Sequence, residues 1–181
     1  MKKLLTIFTF ATFLALAVMA ADDVAGAVHG IITKVDAAAK TVVVKTKDGT
    51  EHTIHFVDKT AVYSAEGIET GAKDTFHGLK EGSEVVAHYT VKGTEKTATE
   101  VDKVGKDGLK ATEGAITKVG EGGKTVTVKA ADGTEQVFEV IGHDTKVAAV
   151  DTGKGAEKAG KVTVYYTEKA GKKVVHFFEK L

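Results

Sequence analysis

Histidine is the residue type in this chain best suited to chemistry, because neutral imidazole binds zinc and copper and exchanges protons near neutral pH. Five of the seven histidines, His29, His52, His55, His77 and His88, fall in the first half of the 181 residues; His143 and His176 fall in the second. His52 and His55 stand three apart in a segment that reads as a strand. Residues two apart share a strand face, so these two point to opposite sides and cannot hold one ion without a bulge. Ordinary solvated polar positions account for the pattern. The metal alternative is a divalent ion on which His29, His52 and His88 converge, since a real site needs convergent ligands.

Other reactive groups are scarce. The chain has no cysteine, so disulfides, thiolate metal sites and cysteine nucleophiles are excluded. Its two methionines, Met1 and Met19, lie in an apolar leader, which leaves no thioether for Cu(I) once that leader is removed. The serines are Ser64 and Ser83, neither in a G-x-S-x-G context. Asp48 and Asp132 each precede a glycine and read as turn residues rather than as general acids or bases. Gly120-Glu121-Gly122-Gly123 joins two strands and opens no helix, so it is no phosphate cradle. The pattern predicts a non-enzymatic protein with no cofactor.

Charge points the same way. Every basic residue is lysine, and without Lys2 and Lys3 there are 23 basic against 25 acidic side chains, a net charge of −2. Without arginine, the planar fork that grips phosphate and guanine edges is missing. Nucleic acid is therefore not an expected partner.

The positioning elements come from a duplication. Gly30 to Glu51, GIITKVDAAAKTVVVKTKDGTE, returns 84 positions later as GAITKVGEGGKTVTVKAADGTE, Gly114 to Glu135, with 14 of 22 positions identical. So long a match at one offset indicates a repeated structural unit. Four domain assignments follow: a signal peptide over 1–20, repeat 1 over 27–104, a linker over 105–111 and repeat 2 over 112–181. In the leader, Lys2 and Lys3 precede an apolar run from Leu4 to Met19, with Val18 and Ala20 at the small-residue positions of a cleavage site. An uncleaved membrane anchor is the alternative, although the run is slightly short for a span. The expected location is periplasmic or secreted, with no stable membrane anchor after cleavage.

Valine, isoleucine, threonine and aromatic residues fall in short runs bounded by glycine and aspartate, the signature of strands. Val42 and Val44, like Val126 and Val128, alternate onto one face and predict the core. Asp48-Gly49 and Asp132-Gly133 predict tight hairpins with a positive-φ dipeptide. At an offset of 77, Val85, Ala87 and Tyr89 match Val162, Val164 and Tyr166 as further core positions. The fold class is therefore all-β: two tandem small antiparallel barrels, OB-like or SH3-like, whose closure hides strand edges.

On the motifs GxITKVD, KTVxVKTxDGT and GLKEGSEV (Gly78 to Val85), repeat 1 resembles an uncharacterised domain family of exported bacterial proteins that often occurs in tandem copies. Repeat 2 keeps the first half of this series, with GAEKAGKV in place of GLKEGSEV. The resemblance implies a small β-barrel in the cell envelope or outside it, and no established activity. The G-x-I opening and the L-K-x-G-x-x-V turn also resemble small periplasmic copper- and silver-binding barrels. Their methionine, histidine and tryptophan ligand set is not matched by a chain without tryptophan.

Adjacent aromatics in a strand face opposite ways, so Tyr165-Tyr166 and Phe177-Phe178 each place one ring outside the core of repeat 2. The corresponding outward residues of repeat 1 are His88 and Glu100. Tyr165 and Phe177 are thus the expected interface residues. The expectation is contact between the barrels, since each unit alone is marginal in size; a partner surface is the alternative. The functional expectation is a cell-envelope binding or structural module for an unknown envelope or extracellular ligand. Its rivals are a periplasmic metal-binding protein using the histidines of repeat 1, and an oligosaccharide- or cell-wall-binding pair of OB-like barrels with exposed aromatics along a groove.

Overall fold

The structure is a computed structural model that describes residues 26–70, 75–106, 108–140 and 160–181. The expected signal peptide and residues 141–159 of repeat 2, which include most of its GAEKAGKV segment, lie outside the described residues. No helix among the described residues is long and apolar enough to cross a membrane.

The first unit contains β1 (Gly26–Asp36), β2 (Thr41–Lys45), β3 (Glu51–His55), β4 (Ala61–Ser64), β5 (Gly67–Glu69), β6 (Glu84–Lys92) and β7 (Glu95–Lys103). The second contains β8 (Lys110–Val119), β9 (Thr125–Ala130), β10 (Glu135–Val140), β11 (Lys161–Lys169) and β12 (Lys172–Lys180). In the first, the order β3-β2-β1-β6-β7 closes where β7 returns parallel to β3 at His55 and Thr97. In the second, β10-β9-β8-β11-β12 closes where β12 runs parallel to β10, Glu139 opposite Val174 and Val140 opposite Val175.

The chain is thus two closed five-strand β-barrels with the same connectivity. In each, the third and fifth barrel strands are the parallel pair, the Greek-key order of OB-type barrels. This order decides between the two closures that alternation alone left open. Strand β8 begins at Lys110, two residues inside the expected linker.

The repeated residues explain the repeated geometry. Val42, Val44, Val126 and Val128 are fully buried, and Ile54 and Phe56 in one barrel, Phe138 in the other, close the cores from the next strand. The first strand of each unit carries a bulge at the same place, between Ile32 and Lys34 and between Ile116 and Lys118. A bulge bends the strand and adds twist, which lets one strand serve both sides of a small barrel. Just before it, Gly30 and Gly114 allow the close approach of the second strand. A Cβ there would run into the carbonyl oxygen of Lys45 or of Lys129.

The hairpins differ from the expected dipeptide form. Only the glycines are left-handed, Gly49 at φ 88° and Gly133 at φ 86°. Gly49 N donates to Thr46 O and Thr46 N to Thr50 O, which makes a longer turn ending in a glycine bulge. Asp48 instead accepts from Thr50 N at 3.0 Å and from the Thr46 hydroxyl, and Asp132 from Thr134 N at 2.9 Å. These bonds, the Thr46 hydroxyl first for Asp48 and the Thr134 amide first for Asp132, hold both carboxyls below their usual range.

β4 and β5 form a hairpin that extends the sheet past β7, with β4 parallel to β7 so that Ala61, Val62 and Tyr63 stand opposite Glu100, Val101 and Asp102. This insertion matters for function, because it flanks the part of β7 that carries the buried carboxylate described next.

Candidate functional site at the seam between the barrels

A third apolar cluster, separate from the two barrel cores, contains Val86, Leu109, Tyr165 and Phe177, with Ala27, Tyr63 and Val104 packed against it. Val86 comes from barrel 1, Tyr165 and Phe177 from barrel 2, and Leu109 from the connector, so the two barrels contact each other through it. Leu109 is fully buried and anchored by its amide to Lys103 O at 2.7 Å. The expected linker therefore contributes a core residue. Tyr165 and Phe177 are both 4% exposed, with ring centroids 5.8 Å apart.

Bulges place the polar residues of this seam. β6 and β7 pair His88 with Glu100 but Tyr89 with Ala98, so Thr99 is the extra residue. β11 and β12 pair Tyr165 with Phe177 but Tyr166 with Val175, so His176 is the extra one. A bulged residue breaks strict alternation. Val175 and Phe178 consequently enter the barrel 2 core while Phe177 joins the seam, and the extra residue, His176, reaches across to β7.

At one side of the seam Asp102 lies fully buried. Its Oδ2 is 3.2 Å from His176 Nδ1 and 3.4 Å from His88 Nε2, and Glu100 Oε1 lies 3.8 Å from the same His176 nitrogen. His176 Nε2 faces the Thr167 hydroxyl at 3.3 Å, and the ring lies 5.4 Å from that of Tyr63. Burial pushes the Asp102 carboxyl up, but the hydrogen bond from His176 and the closeness of both imidazoles, His176 and His88, outweigh it and hold the group well below its ordinary range. Burial first, then the charges of Asp102 and Glu100, raises the Tyr63 phenol. Even so, among the described residues Asp102 Oδ1 and both His88 ring nitrogens have no hydrogen-bond partner.

At the other side His29 holds a second polar group. Its Nε2 is 2.9 Å from Glu84 Oε1 and its Nδ1 3.2 Å from Glu179 Oε2. The Tyr165 hydroxyl donates to Glu179 at 3.0 Å and lies 3.0 Å from His29 Nδ1. Burial, then the charge and hydrogen bond of Glu179, raises the Tyr165 phenol far above its ordinary value. Under the 77-residue offset, Tyr165 and Glu179 occupy the places of His88 and Asp102. The two polar groups are therefore variants of one repeated position, each completed by a histidine from the other barrel.

The three histidines singled out as metal candidates are not brought together. His29 faces Glu84, Glu179 and Tyr165. His88 faces Asp102. His52 lies on the far strand β3, its Nδ1 2.6 Å from Lys96 Nζ, and burial followed by that ammonium charge lowers its pKa. Instead, the cluster with metal-ligand spacing among the described residues is Glu100, Asp102 and His176, whose ligand atoms all lie within 4.8 Å of one another. Sequence reading missed Asp102 and His176. The available signal was that Thr99, the counterpart of His176, is not ionisable, so this histidine is peculiar to repeat 2.

The remaining reactive types are engaged locally. Ser64 Oγ contacts Gly67 O at 3.4 Å, and Ser83 Oγ accepts from Lys80 N at 3.1 Å. The large apolar side chains left exposed among the described residues, Ile31, Val57, Ile68, Val91, Val137 and Leu181, include no aromatic ring. An open cleft of about 480 Å³ runs beside His29, between Thr46, Asp48, Phe177 and Glu179. No protein-family model matches the chain and no curated protein matches it.

Proposed function

We propose that this chain is an exported, non-enzymatic module of two OB-type barrels that serves the cell envelope or extracellular space by binding or by structural support. The observation that carries the reading is where the chemically capable side chains go. Ser64, Ser83, Asp48 and Asp132 bond turn backbone, and His29, His88 and His176 face carboxylates at the seam. None of these is a nucleophile held by a base and aimed into a cleft, the arrangement that covalent catalysis requires. Export rests on the Lys2-Lys3 and Leu4 to Met19 leader, and the resemblance to exported tandem-barrel proteins fits it.

The partner class is an envelope or extracellular ligand rather than nucleic acid, because the chain has no arginine and no excess of basic charge. Fractionation of producing cells with mass spectrometry of the purified protein tests export, the expected species beginning at Ala21 in the periplasm or medium. A cytosolic chain retaining Met1 to Ala20 would overturn it. Co-sedimentation of the mature chain with isolated envelope material tests the binding half, and a chain that stays wholly in the supernatant while hydrolysing envelope substrates would overturn the non-enzymatic assignment.

A further inference from the structure

We propose that Asp102, His176 and Glu100 form a site for one divalent cation of the zinc class that ties the two barrels together. The inference goes beyond the module reading and does not depend on what the module binds. His176 Nδ1 lies 3.2 Å from Asp102 Oδ2 and 3.8 Å from Glu100 Oε1. Around a tetrahedral ion with ligand bonds of roughly 2.0–2.2 Å, neighbouring ligands are roughly 3.3–3.6 Å apart. These two separations bracket that edge, and all three ligand atoms lie within 4.8 Å of one another, so side-chain adjustment brings them onto one ion. Three protein ligands leave a fourth position for water, and the partial exposure of Glu100, 28% at its side chain, gives the ion a way in.

A second observation points to a ligand independently of the spacing. Asp102 is fully buried, and among the described residues neither its Oδ1 nor either ring nitrogen of His88, 3% exposed, has a hydrogen-bond partner. Buried polar groups are ordinarily satisfied, and a buried carboxylate oxygen left without a partner is unfavourable. A divalent cation at the Asp102 carboxylate offsets its charge, and two carboxylates with one imidazole balance the double charge of the ion. His88 Nε2, 3.4 Å from Oδ2, is placed to orient Asp102, while Thr167 holds His176 Nε2 so that Nδ1 faces the ion. Nitrogen and oxygen ligands without sulfur suit zinc-class ions rather than Cu(I).

Calorimetric titration of the chelator-treated chain with Zn²⁺ tests this. The expected result is one ion per chain with a micromolar or tighter dissociation constant, weakened at least tenfold by Glu100→Gln and by His176→Gln and unchanged by His52→Ala. Glu100→Gln keeps the shape of a partly exposed side chain, so its far-ultraviolet circular dichroism and melting are expected to match the parent. It separates loss of the ion from loss of the fold. Absence of binding at micromolar Zn²⁺ would overturn the proposal, and so would binding that His52→Ala weakens while Glu100→Gln leaves it intact. The first outcome would leave Asp102 as the anion of a simple buried histidine pair.

Discussion

Replacing Phe177 with alanine probes the seam without touching either barrel core. The ring is 4% exposed and packs with Tyr165, Val86 and Leu109. Truncating a buried phenylalanine removes about 3–5 kcal/mol in well-packed interiors, the sum of lost transfer energy and the cavity left behind. A seam between two barrels closes over a gap more readily than a barrel interior, so about 3 kcal/mol is expected. With a urea dependence of about 1–3 kcal/mol per molar, the unfolding midpoint falls by roughly 1–3 M. Phe177 belongs to barrel 2, yet barrel 1 is also expected to lose stability, because Val86 loses its cover. Urea unfolding followed by NMR signals of Tyr89 in barrel 1 and Tyr166 in barrel 2 reads the two separately. Phe178→Ala is the comparison, since its ring fills the barrel 2 core and its effect is expected to be concentrated there. A Phe177→Ala change within about 0.5 kcal/mol, the size of an ordinary surface substitution, would refute the docked seam. Loss confined to barrel 2 would refute the coupling.

Two other measurements bear on the same reasoning. Gly30→Ala and Gly114→Ala each push a Cβ into the backbone of the neighbouring strand, and each is expected to lower stability by about 1–3 kcal/mol in denaturant titrations; an unchanged midpoint would show that the first two strands can separate freely. Because burial and then Glu179 keep Tyr165 protonated far above its ordinary value, the folded state holds more protons than the unfolded one above about pH 10. Stability from this group is complete below that pH and declines as the pH rises beyond it. Tyr165→Phe is expected to flatten the alkaline decline relative to the parent in urea midpoints taken between about pH 8 and 11, and an identical slope in the two proteins would remove the assigned role.

Much of the barrel interior is legible in the order of residues alone. The Val42/Val44 and Val126/Val128 alternation marked the buried face because a strand side chain has only two directions to choose from. The 84-residue echo showed that both halves fold alike, down to the paired glycines. The reading failed where position depends on partners distant in the chain. Asp48-Gly49 announced a turn, but the turn's length is set by how many hydrogen bonds the flanking strands complete, and that left Asp48 as an acceptor instead of a left-handed residue. Nothing in the residues around Tyr63 marks its place beside Asp102, which the parallel pairing of β4 with β7 alone sets. His176 was overlooked because its reach across the seam depends on the bulge between Tyr165 and Tyr166, and no residue type marks such a bulge.

Residue types and periodicity alone therefore determined the chemistry that is missing, the duplication, the all-β class and the composition of each core. These depend on which groups exist and on a two-residue repeat, both local properties of the chain. Strand order, the capture of Leu109 from the connector and the meeting of Asp102 with His176 were decided only by tertiary structure. Each joins atoms from separate strands, and Asp102 and His176, 74 positions apart, meet only after both barrels have closed and come into contact.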